Sequence, residues 1–70
     1  MIIYDKLWKT MKEKGLTSYA LNTRYNVSKA QLYRLKHNQS VSTNTLDKLC
    51  NILDCGVSDI MEHIPDDNVF

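Results

Sequence analysis

Thr17-Ser18-Tyr19-Ala20-Leu21-Asn22-Thr23-Arg24-Tyr25-Asn26-Val27-Ser28-Lys29-Ala30-Gln31-Leu32-Tyr33-Arg34-Leu35-Lys36 decides the fold of this 70-residue chain. A hydroxyl residue opens each half. Thr17 and Ser28 are N-cap types, whose side-chain oxygens accept from the leading amides that a helix cannot satisfy by itself. Between the halves stands Asn26, which tolerates a positive φ and so suits a tight turn. The stretch reads as a helix from Ser18 to Arg24 or Tyr25, a turn, and a second helix over about residues 28–36. Leu21, Val27, Leu32 and Leu35 supply its apolar side, with Tyr25 a candidate to join them. Lys29, Gln31, Tyr33, Arg34 and Lys36 occupy the rest of the second helix, giving a helix-turn-helix layout.

The flanks extend the helical pattern. Tyr4, Leu7, Trp8 and Met11 fall at i, i+3, i+4 and i+7, which predicts a helix from Tyr4 to Lys14 with Gly15 as its stop. Leu46, Leu49, Cys50 and Leu53 repeat the spacing behind a Ser42 cap, and Gly56 is the expected stop. Residues 37–41 are polar and aperiodic, a loop. A last short helix is expected from Ser58, placing Ile60, Met61 and Ile64 on the domain, and Pro65 marks where order should end. No strand pattern is visible. The expectation is all-α: one compact five-helix domain over residues 1–64 and a flexible tail over 65–70.

Seventy residues make one small domain, too short for a deep catalytic cleft, so a binding module is favoured. Cys50 and Cys55 are too few for a disulfide-stapled scaffold, the opening lacks a signal peptide, and no apolar run approaches the roughly 20 residues of a membrane span. The reading is a soluble cytoplasmic, nucleoid-associated protein with no membrane partner. The spacing of Cys50, Cys55, His37 and His63 matches no zinc pattern, and Cys50 falls on an apolar stripe. Cys55 is weighed as a redox-sensing thiol against plain packing. No Ser/His/Asp constellation or glycine-rich phosphate loop appears, so no enzyme activity, metal, cofactor or small-molecule ligand is expected.

Charge divides the chain. Residues 1–40 hold eight Lys/Arg against two acids, Asp5 and Glu13, whereas residues 41–70 hold Lys48 against six acids, Asp47, Asp54, Asp59, Glu62, Asp66 and Asp67. A positive half that carries the two-helix motif suits phosphates. A major groove about 12 Å wide accepts one helix whose outer face bears donors, acceptors and methyls. Lys29 and Arg34 can donate to guanine N7 and O6, Gln31 can pair with adenine, Ala30 can meet a thymine methyl, and Tyr33 can stack or touch a methyl. These five are the candidate base contacts. Candidate phosphate contacts are Thr17, Ser18 and Tyr19 at one helix start, Ser28 at the next, Ser42, Thr43 and Asn44 at the fourth, and Lys36, His37, Asn38 and Gln39 around the loop.

Lys14-Gly15-Leu16-Thr17, Asn26-Val27-Ser28, Leu32-Tyr33-Arg34-Leu35, Val41-Ser42 with Thr45-Leu46-Asp47-Lys48-Leu49-Cys50, and Asp59-Ile60-Met61 together resemble the lambda-repressor-like helix-turn-helix proteins of the Cro type, also called XRE-type. The resemblance covers Leu7 to about Asp66. It implies a five-helix DNA-binding domain of bacterial or phage regulators, commonly repressors that bind paired half-sites as homodimers. Four residues depart from the family's pattern. Asn26 replaces the usual turn glycine, Asn22 replaces a small alanine where the two motif helices approach, and Ser18 and Tyr19 stand where a glutamine is usual. Asn22 is expected either to widen the helix crossing or to bond across it. The resulting expectation is a sequence-specific double-stranded DNA-binding transcriptional regulator, with a repressor the favoured form and the third helix in the major groove. The alternative is a protein-interaction module, antitoxin-like or a phage adaptor, that binds a partner through its acidic half. Ile60, Met61, Ile64, Val69 and Phe70 are the candidate dimer surface, with Ile60, Met61 and Ile64 alternatively closing the core.

Overall fold

Four helices dominate residues 1–66, which the computed structural model describes, and each is closed by a left-handed residue: Gly15 (φ 70°), Asn26 (φ 58°), Asn38 (φ 54°) and Asp54 (φ 50°). Glycine, asparagine and aspartate are the residues that enter this conformation at least cost, so the helix boundaries are written in local backbone preference. The elements run β1 (Ile2–Ile3), α1 (Asp5–Glu13), α2 (Ser18–Tyr25), α3 (Lys29–Lys36), α4 (Thr43–Leu53), a 3-10 turn (Val57–Asp59) and β2 (Glu62–His63). At the end of α1, Gly15 N–H donates to Lys12 O and Leu16 N–H to Met11 O, the paired bonds of a Schellman stop.

The three hydroxyl caps are all made. Thr17 Oγ1 accepts from Ala20 N–H, Ser28 Oγ from Gln31 N–H and Ser42 Oγ from Thr45 N–H, each at 3.1 Å. α1 begins differently. Its Tyr4 N–H donates to Asn38 Oδ1 at 3.0 Å, and the Tyr4 hydroxyl donates to Gln39 O at 2.9 Å, so the loop after α3 anchors the start of the chain.

Tyr4, Leu7, Met11, Leu21, Val27, Leu35, Leu49, Leu53 and Ile60 form the buried core, with Trp8, Leu32, Leu46, Cys50 and Met61 packed partly buried against it. Every helix contributes, which is how a chain this short closes one core. Thr10 Oγ1, on α1, donates to Asp59 O at 2.9 Å and ties the 3-10 turn to the first helix.

Four expectations need correction. Tyr25 lies outside the core, 37% exposed, because α2 ends there and its last turn projects past Leu21. α4 stops at Asp54 rather than Gly56, since the aspartate itself turns left-handed. The fifth helix is a single 3-10 turn, with Gly56 N–H donating to Asp59 Oδ2 at 3.2 Å. Two strands exist where none was expected. Ile2 lies opposite His63 and Ile3 opposite Glu62 in an antiparallel pair. Ile64 N–H donates to Met1 O at 2.7 Å and the Met1 amine to Ile64 O at 2.8 Å. A two-residue strand is too short to show alternation, so pairing depends on the ends being brought together by the helices. The Met1 amine also meets Asp66 Oδ2 at 3.1 Å, one residue past the expected boundary at Pro65.

Candidate nucleic-acid interface

Burial of Leu35 at the centre of the domain turns the opposite side of α3 outward. Lys29, Ala30, Tyr33, Arg34 and Lys36 are exposed there, Tyr33 at 57%. The Tyr33 ring stands against the His37 imidazole, centroids 4.1 Å apart and planes tilted by 40°, which restricts both side chains at the end of the helix. Gln31 is placed differently. It is half-buried, and its Oε1 is shut from solvent with no hydrogen-bond partner, so its amide does not share the outward face of Lys29 and Arg34.

α2 opens beside this face. Ser18, Lys29, Leu32, Tyr33 and Lys36 line one open, mostly apolar groove of about 280 Å³ that includes two lysines of α3. Thr17 and Tyr19 flank Ser18, both exposed, Tyr19 at 77%. The first amides of α2 have no intrahelical acceptor, and together with the helix dipole they suit an anionic oxygen beside the lysines. The structure thus brings together the start of α2 and the outer face of α3.

Other expected phosphate contacts stand elsewhere. Asn38 and Gln39 line a second cleft with Met1, Ile2, Tyr4, Val41, Leu46 and Met61, and both are hydrogen-bonded to Tyr4. Ser42, Thr43 and Asn44 are exposed at the start of α4, where Ser42 Oγ also lies 3.0 Å from Thr45 Oγ1. Ser28 Oγ is engaged in its cap.

The turn holds a feature that the sequence reading only half anticipated. Asn22 Nδ2 donates to Val27 O at 3.0 Å, so the asparagine in place of a small residue bonds to the turn rather than standing idle. Lys48, on α4, donates to Asn26 O at 3.1 Å. Its signal in the sequence was its isolation as the one cation after residue 40.

Of the expected dimer surface, Ile60 is fully buried and unavailable, Met61 and Ile64 are half-buried, and Val69 and Phe70 lie outside the described residues. Burial, then the neighbouring Cys50 thiol and the Asp59 carboxylate, push the Cys55 thiol above its usual range. It therefore stays protonated at neutral pH, the opposite of what a reactive thiolate needs. Among the described residues no group of three His, Cys, Asp or Glu is placed to hold a metal ion, and no helix is long and apolar enough to cross a membrane.

Comparison with known proteins agrees with this geometry. The transcriptional regulator VanUg, solved as a crystal structure (form II), is similar at a TM-score of 0.85 and 32% identity, over 93% of this chain and 87% of that one. No curated protein matches. The family profile for the Cro/C1-type HTH DNA-binding domain matches residues 6–66. With its capped α2, left-handed turn and outward-facing α3, the chain belongs to the Cro/C1-type HTH DNA-binding domains.

Proposed function

We propose that this protein binds double-stranded DNA sequence-specifically as a homodimer and represses transcription by occupying its operator. α3 enters the major groove. Lys29, Arg34, Tyr33 and Ala30 meet base edges, while the start of α2 and Lys36 hold the adjoining phosphates. The observation that carries this reading is the shared groove. Ser18 from α2 and Lys29, Tyr33 and Lys36 from α3 converge on one open surface, so backbone-holding and base-reading groups face the same way. Gln31 would have to leave its half-buried position to reach a base, which leaves it outside the reading set.

Selection of bound duplexes from a random library, followed by salt-titrated affinity on the best duplex and a scrambled control, tests this. An enriched inverted repeat with half-sites about one helical turn apart is the expected result. Weak binding equal on both duplexes would overturn it and favour a protein partner instead.

A further inference from the structure

Two side chains from different helices hold the backbone of the turn between α2 and α3. Asn22, on α2, donates to Val27 O at 3.0 Å, and Lys48, on α4, donates to Asn26 O at 3.1 Å. The two acceptors are consecutive carbonyls, at the point where the chain has gone left-handed at Asn26. The Asn26 carbonyl caps the end of α2, where the helix has run out of N–H partners and carries the negative end of its dipole, so an ammonium suits it; the Val27 carbonyl lies in the turn outside both helices, where a side-chain amide N–H supplies the partner that no helix does. Val27 is itself part of the buried core, and Ser28 caps α3 one residue later. A shift of the turn is therefore passed directly to the start of α3, where Lys29 and Ala30 stand.

We infer that Asn22 and Lys48 are positioning residues for base reading: by holding the Asn26 and Val27 carbonyls they set the angle of α3 against α2 and decide which bases Lys29 and Arg34 reach. This rests on the proposed DNA reading. Neither residue touches nucleic acid. Lys48 is the one cation of the acidic half, and its ammonium is directed at a backbone oxygen of the turn. Removing it should leave the count of phosphate contacts as it was.

The test uses the full chain as wild type, Asn22→Ala, Lys48→Met and Lys48→Arg. Each is put through duplex selection, then titrated against salt on the wild type's best duplex and on a scrambled control, with a thermal melt beside each. Asn22→Ala and Lys48→Met are each expected to weaken the best duplex about tenfold, the scale of one hydrogen bond. Both should re-rank the preferred bases and leave the control affinity and the salt slope unchanged. Lys48→Arg keeps a donor and should restore the profile. Lys48 is half-buried but its bond to the turn is solvent-exposed, so its variants carry the test even if Asn22→Ala does not fold. A lower melting temperature with unchanged base ranking would overturn the inference, because the bonds would then serve stability alone. So would an equal loss on both duplexes with the slope reduced by about one, the mark of a phosphate ligand. A wild type with no base preference overturns the DNA reading and this inference together, whereas a preference shared by wild type and variants overturns the inference alone.

Discussion

Asp54 shows how far a single residue can be read. An aspartate in the left-handed region is tolerated but strained, and here its carboxylate also sits at the negative end of α4. Asp54→Gly removes both costs and is expected to stabilise the domain by about 0.5–1 kcal/mol, seen as a higher urea midpoint. Asp54→Asn, which keeps the conformation and loses only the charge, should recover part of that gain. No gain from either would mean that the carboxylate is compensated in solution. Gln31 offers a second case. Its enclosed, unpaired Oε1 carries a desolvation cost that a methionine of similar shape would not, so Gln31→Met should stabilise by about 1 kcal/mol. A loss of stability would show that the amide is hydrogen-bonded after all. Neither effect could be taken from the sequence, because there Gly56 looked like the stop and Gln31 looked like one more polar residue on an exposed helix.

On the proposed reading, Arg34 and Lys36 of α3 divide the labour. Arg34 stands exposed on the outer face and Lys36 lines the groove beside α2. Arg34→Ala is expected to cost about 1–3 kcal/mol of binding and to relax preference at one base position, measured by repeating the duplex selection. An unchanged profile would remove Arg34 from the reading. Lys36→Ala should instead weaken all sequences alike and lower the salt slope by about 1, so a sequence-selective loss would contradict its phosphate role. The helix itself was legible from Ser28 and the Leu32/Leu35 spacing, since capping and periodicity are local. Its outward set was legible only in part. Leu35 fixes one side of the helix, but whether Gln31 faces water or the domain depends on how the packed elements close around it.

Across the whole molecule the charge division is less one-sided than the sequence count suggests. Lys6 and Lys9 line a cleft of their own with Thr10, Glu13, Ser58 and Asp59, sharing no residue with the groove at α2 and α3. Lys6 and Lys9 thus share a cleft with one acid of the other half, Asp59, and with Glu13 of their own. The cations that line the proposed interface are Lys29 and Lys36, with Arg34 exposed on the same helix. Lys9→Ala is accordingly expected to leave the salt slope of DNA binding unchanged, and a decrease of about 1 would place α1 on the phosphates as well. The same scale accounts for the loop residues. Asn38 and Gln39 look like phosphate ligands in the sequence, yet they fasten Tyr4 and the start of α1, a bond across more than thirty residues that no local pattern announces.

By itself the sequence determined what depends on neighbours along the chain. It specified the hydroxyl caps at Thr17, Ser28 and Ser42, the left-handed turn at Asn26, the periodic core positions, and with them the helix-turn-helix and its family. Only the tertiary structure decided what depends on distant segments meeting. It paired Ile2 and Ile3 with Glu62 and His63 and, of the two places open to Ile60, chose the core. It also brought Lys48 from the acidic half onto the turn. The physical reason is range: caps and turns are satisfied within a few residues, whereas strand pairing, side-chain burial and a lysine's choice of acceptor are set by which surfaces the packed helices bring together.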